Sequence, residues 1–113
     1  MRDLVFMGDS RESLSGFPDE VKSEMGYALR FAQGDKTHDK AKPFKGYPGV
    51  MEIVSSHRKE AYRAVYALKL GTRIYVLHAF QKKSKHGIKT PKPDLELIEA
   101  RYKAAKRLEE DNV

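Results

Sequence analysis

The sequence predicts an α+β domain in which helices pack on one face of a small, twisted antiparallel sheet, in the order β-α-α-β-β-β-α. Three observations predict it. Residues 61–80 carry two alternating stretches about Gly71-Thr72, residues 21–32 repeat apolar side chains at helical spacing, and residues 95–105 do so again.

Taken in order, "DLVFM" (3–7) has the content of a short strand, closed by Gly8. "DSRE" (9–12) reads as a capping box for a brief helical turn ending at Gly16. Pro18 suits the first position of a longer helix, and Asp19 and Glu20 favour its positive end. Val21, Met25, Ala28, Leu29 and Ala32 form its apolar stripe before Gly34 stops it. Residues 34–49, "GDKTHDKAKPFKGYPG", read as a loop because Gly, Pro and Lys dominate them. "VMEIV" (50–54) is a strand by its β-branched content.

In "AYRAVYALKL" (61–70), alternation puts Tyr62, Ala64, Tyr66, Leu68 and Leu70 on one face and Arg63, Val65 and Lys69 on the other. After a reversal at Gly71-Thr72, "RIYVLHAF" (73–80) sets Ile74, Val76, His78 and Phe80 against Tyr75, Leu77 and Ala79. Pro93 and Asp94 open a last helix striped by Leu95, Ile98, Tyr102 and Ala105.

With 113 residues, 40% of them hydrophobic, the chain suits one domain over residues 1–113. It lacks cysteine, which excludes a disulfide framework, a thiolate metal site and a cysteine nucleophile. "MRDLVFMGDS" has no apolar run of signal length, and no stretch approaches the roughly 20 apolar residues of a membrane span. A cytoplasmic protein that does not enter a membrane is the expectation.

The formal charge of +6 favours a polyanionic partner, and it is unevenly placed. Residues 61–93 hold eight Lys or Arg and no Asp or Glu, whereas residues 1–33 and 94–113 each hold four bases and six acids. Within the basic third, "HAFQKKSKHGIKTPK" (78–92) carries five lysines and two histidines. A lysine run alone is as often a solvated surface as a site. Arg63, set in a strand whose neighbour leads into this run, tips the balance toward a groove for an anion.

No Walker loop, GxGxxG, HExxH or GxSxG motif is present, and His38, His57, His78 and His86 are scattered without ligand spacing, so neither a metal nor a cofactor is expected. The chemistry that suits such residues is RNA cleavage through the 2′-hydroxyl. That reaction needs a base, an acid for the 5′-oxygen and fixed cations around the phosphorane. Arginine grips phosphate oxygens with a planar fork, and a lysine crowded by other cations has a depressed pKa, which lets it act as a base or acid near neutrality. Tyr62, Tyr66, Tyr75 and Phe80 can stack on bases, although core packing is the commoner role for strand aromatics.

Residues 42–103, with "KGYPGVMEI", "YRAVY" and "YVLHAFQKKSKHGIKTP", resemble the phage-derived, HigB-like branch of the RelE/ParE toxin superfamily. "FPDEVKSEMGYALRFAQ" (17–33) matches its first long helix. The resemblance implies a RelE-like fold and a type II toxin that cleaves mRNA on the translating ribosome. It also implies a cognate helix-turn-helix antitoxin bound to the toxin as a heteromer.

By position, Arg63 looks like the strand arginine that stabilises the phosphate. Lys82 and Lys83 look like the basic groups at the end of the last strand, and His78 is a candidate acid or base. Lys45, His57, Arg58, Arg73, Lys85, His86, Lys89 and Lys92 are expected to contact RNA or the ribosome. Tyr102 lies on an apolar stripe and is expected to pack, which leaves the C-terminal tyrosine of RelE nucleases without a counterpart. Two other readings stay open: a ParE-like gyrase inhibitor acting by binding, and a non-catalytic toxin kept for antitoxin binding.

Overall fold

A computed structural model describes residues 1–82 and 89–111. Its centre is a five-stranded sheet built from β1 (Leu4–Phe6), β2 (Ala41–Pro43), β3 (Val50–His57), β4 (Glu60–Ala67) and β5 (Ile74–Lys82), in the spatial order β1-β5-β4-β3-β2. Three helices accompany it: α1 (Ser10–Ser15), α2 (Asp19–Gln33) and α3 (Lys92–Asp111). Among the described residues no helix is long and apolar enough to cross a membrane.

The α+β class holds, with differences in detail. Residues 34–49 include β2, which pairs antiparallel to β3 through Ala41, Lys42 and Pro43. Pro43 cannot donate to a ladder, so this short strand is tolerated only at the edge it occupies. At the opposite edge β1 runs parallel to β5, with Leu4, Val5 and Phe6 beside Ile74, Tyr75 and Val76, so the sheet is mixed rather than wholly antiparallel.

The helices also divide between two faces instead of sharing one. The apolar stripe of α2 packs on Ile53, Tyr62, Ala64, Tyr66, Ile74 and Val76. Ile98 and Ala105 of α3 pack on Val50, Val65, Ala67, Tyr75 and Leu77 across the sheet. The reason is in the strands themselves: β4 and β5 are apolar on both sides at their central positions, and a strand of that kind needs cover on both.

Local signals explain most boundaries. Asp9 does cap α1 by position, but its carboxylate makes no capping bond and is drawn elsewhere. Between β3 and β4 the chain reverses on Arg58 and Lys59, at φ 51° and 68°, the geometry of a two-residue hairpin turn. An Arg-Lys pair carries no turn signature, so this reversal was not readable. The β4–β5 connection is longer than a tight Gly-Thr turn, and Arg2 holds it by donating to the carbonyls of Leu68 and Thr72.

Candidate nucleic-acid interface

The site begins with an irregularity in β5. Val65 of β4 pairs with His78, but the next residue, Tyr66, pairs with Val76, so Leu77 is an extra residue in β5. Such a bulge re-aims the side chains that follow it. Ile74 and Val76 face α2, while Leu77 and His78 both face α3, and Phe80 stays with them. The simple alternation expected of β5 is therefore broken, and His78 and Phe80 share a face with Tyr75 rather than with Ile74.

Hydrogen bonds to two successive carbonyls hold the bulge. The Met7 amide and the Ser10 hydroxyl donate to the Val76 oxygen at 2.9 and 3.1 Å. Arg101 Nη1 donates to the Leu77 oxygen at 3.0 Å and lies 3.2 Å from His78 Nδ1. A guanidinium only donates, so Nδ1 accepts and His78 carries its proton on Nε2. That proton points to Asp94 Oδ1, 2.7 Å away in the first turn of α3. The imidazole stacks on the Phe80 ring, with centroids 4.9 Å apart and 16° between planes.

Helix α3 begins beside His78 and runs back toward Tyr75, where Glu109 near its end accepts from the Tyr75 hydroxyl. Beyond its first turn, the same face of the sheet is charged. Alternation along β2, β3, β4 and β5 places Lys42, Glu52, Arg63 and Lys82 there. Arg63 Nη1 donates to Glu52 Oε2 at 3.0 Å, and each side chain is only 8% exposed. Lys42 Nζ approaches Glu52 Oε1 at 3.6 Å from a more open position. Among the described residues the buried Arg63 Nε has no hydrogen-bond partner. Lys82 is buried too, and burial, then the Arg63 charge, pulls its ammonium below the ordinary lysine range against the opposing pull of Glu52.

Among the described residues this is three cations around one carboxylate. Chemically, it offers a forked donor for phosphate oxygens, an amine that gives up its proton more readily than a solvated lysine, and a fixed anion that orients the fork. Glu52 and Lys42 were not anticipated. A carboxylate in the middle of "VMEIV" is out of place in a half-buried strand, and that misfit was the available signal.

The other expected residues are dispersed. His57 faces α2, where its Nδ1 lies 3.2 Å from Glu20 Oε2, and Arg58 sits in the exposed β3–β4 turn. Lys45 is exposed in the connection before β3, beside a cleft of about 380 Å³ lined by Phe44, Tyr47, Met51 and Leu68. From Val50 to Val54, the neighbour of Arg63, is about 13 Å of strand. Arg73 lies at the other end of β5, roughly 30 Å from Lys82 at strand rise, paired with Glu109 at 3.5 Å. Lys89 and Lys92 are exposed on the approach to α3 and at its first residue. Lys83, Lys85 and His86 lie outside the described residues. Tyr102 packs with Ile98 against the sheet, as its stripe position predicts.

This path of strands and helices is the RelE fold. The crystal structure of the isolated E. coli RelE toxin matches it with a TM-score of 0.58 over 96% of this chain and 99% of that chain, at 16% sequence identity. The pattern of the phage-derived Gp49-like proteins (DUF891) matches residues 12–103, and the chain belongs to that family. Among curated proteins none matches the chain. The sequence resemblance to the phage-derived branch of the RelE/ParE superfamily is thus borne out by family and by fold.

Proposed function

We propose that the protein is the toxin of a type II toxin-antitoxin pair and cleaves mRNA on the ribosome without a metal. The observation that supports this reading is the cluster centred on Arg63: among the described residues, buried Arg63 and Lys82 and the more open Lys42 surround the carboxylate of Glu52, on the face beyond the start of α3. Fixed cations of this kind stabilise the charge of a phosphorane, and RNA brings that charge at the scissile phosphate.

In this reading Lys82, whose hold on its proton burial weakens, accepts the proton of the 2′-hydroxyl. The 2′-oxygen then forms a bond to phosphorus as the bond to the 5′-oxygen breaks. Arg63 donates to the equatorial phosphorane oxygens through its fork, with Glu52 holding its orientation and Lys42 adding charge. Lys83, next along the chain, is the candidate for protonating the departing 5′-oxygen. His78 has both ring nitrogens engaged by α3 and acts on position rather than on protons. Lys45, Arg58, Lys89 and Lys92 contribute salt-sensitive contacts to RNA or ribosomal phosphates. A helix-turn-helix antitoxin would neutralise the protein by covering the cationic face with acidic side chains or with bulk.

The test is induction of the wild type beside Arg63→Ala and Lys82→Ala, with primer extension on cellular mRNA. New transcript ends should accompany growth arrest in the wild type alone. Arrest without new ends sinks the nuclease reading, and gyrase inhibition in vitro that survives Arg63→Ala would establish the binding alternative.

A further inference from the structure

The chain of contacts that ends at the charged face starts on α3, at a residue with no atom in the cluster itself. Arg101 fills every requirement of a bolt. Its Nη1 meets both the Leu77 carbonyl at the bulge and His78 Nδ1, and its Nη2 donates to Asp9 Oδ1 at 2.8 Å. The guanidinium beside Asp9 holds that carboxyl below its usual range, first through this hydrogen bond and then through its charge. One side chain thus ties α3 to β5 and to the residue that precedes α1.

The backbone is shaped to receive it. Gly8 has φ +53°, and a Cβ there would lie 2.6 Å from Arg101 Nε and 2.7 Å from Cζ. No side chain fits between the turn and the guanidinium. From Arg101 the order passes to His78, whose Nδ1 accepts from it while Nε2–H donates to Asp94, then to the stacked Phe80 ring. Phe80 is the register partner of Arg63, and Lys82 follows two residues later.

We propose that Arg101 is a positioning residue for the RNA-cleaving face. By clamping the β5 bulge and donating to His78 Nδ1, while Asp94 holds the other ring nitrogen, it sets where Phe80, Arg63 and Lys82 stand. The proposal rests on the reading of that face as the site of cleavage. A plain packing role would show in stability alone. A positioning role shows in the Nδ1 resonance of His78 and in turnover.

The experiment compares the full chain with Arg101→Ala, Arg101→Lys and Gly8→Ala. The last keeps the arginine and pushes its guanidinium out of place. Nitrogen-15 NMR of the free protein reads the His78 ring, and single-round and steady-state cleavage of ribosome-bound mRNA reads kcat and KM. The wild type should show the neutral Nε2–H tautomer. Arg101→Ala and Gly8→Ala should each shift the Nδ1 resonance as its donor is withdrawn, while Nε2–H stays on Asp94, and lower kcat by about 10²-fold, the scale of a misplaced reacting group, with KM within about twofold. Arg101→Lys, which keeps the charge and one donor, should fall between.

A wild-type His78 carrying its proton on Nδ1 overturns the proposal. So do variants that fold with an unchanged Nδ1 resonance and unchanged kcat. Should Arg101→Ala fail to fold, Gly8→Ala and Arg101→Lys decide by the same two readings. Since the NMR arm needs no substrate, Nδ1 shifts in a protein that never cleaves RNA would fell the nuclease reading and leave the clamp standing.

Discussion

Two arginine–glutamate pairs occupy the same face of the sheet at opposite ends. At one end Arg73 meets Glu109 at 3.5 Å, lies 5.4 Å from the Tyr75 ring centre, and shares its carboxylate with the Tyr75 hydroxyl. At the other, Arg63 meets Glu52 at 3.0 Å with Lys42 and Lys82 close by. Both arginines have a buried Nε without a hydrogen-bond partner among the described residues. An orphaned guanidinium nitrogen therefore does not by itself mark a ligand site. The distinguishing quantity is the charge gathered among the described residues: one cation at one carboxylate under the end of α3, three around one beyond its start.

The sharpest way to break this comparison is to remove each arginine in turn. Arg63→Ala should lower mRNA cleavage by about 10³-fold, the scale of a lost transition-state donor, while Arg73→Ala stays within about twofold. Equal losses in primer extension would erase the distinction between the two ends.

Lys82 gives the next largest effect. In the proposed mechanism it is the base and works in its neutral form, and burial lowers its affinity for the proton, so wild-type cleavage should rise with pH below the ordinary lysine value of 10.5 and then level. Lys82→Arg stays protonated throughout, so the rising limb should vanish and the plateau rate should drop by about 10²-fold. A pH–rate profile of unchanged shape in Lys82→Arg would remove Lys82 from the role of base.

The α2 face responds at another pH altogether. Tyr66 is 1% exposed there, and burial pushes its hydroxyl from 10.0 up to about 12. A folded value above the unfolded one means the stabilisation is complete below pH 10 and is lost as pH climbs through 12. The loss should reach on the order of 2 kcal/mol, and Tyr66→Phe should abolish most of it in urea titrations at pH 9 and 11.5. The smallest effect belongs to the balanced pair: being partly exposed, it should cost about 1 kcal/mol or less when Arg73→Ala is unfolded in urea. A cost of several kcal/mol would show that this end, too, is a buried charge cluster.

Much of this architecture was legible in the sequence because it follows from apolar periodicity. The stripe of α2, the alternation of β4 through Tyr66 and the apolar positions of α3 all appear where spacing puts them. The second covered face was legible in principle, since Val65, Tyr75 and Leu77 on the reverse of the hairpin have no other reason to be apolar. The bulge at Leu77 was not, because an inserted residue leaves no compositional trace and its supports, Ser10 and Arg101, are distant in the chain. Arg63 and Lys82 could be proposed from the acid-free third of the chain. Glu52 was hidden by the same habit, because a window drawn around missing acids stops short of the one acid that matters.

The place of β5 in the sheet also dictates the order in which the chain can fold. Its neighbours are β1, some seventy residues earlier (Leu4 with Ile74), and β4, and both α1 and α3 rest on it. A growing chain that has reached only Thr72 has β3 and β4 to pair but no central strand, so β1 has nothing to join and the cationic face lacks Lys82. Contacts of such sequence separation form late and together. The cationic face therefore comes into being only in the step that completes the sheet.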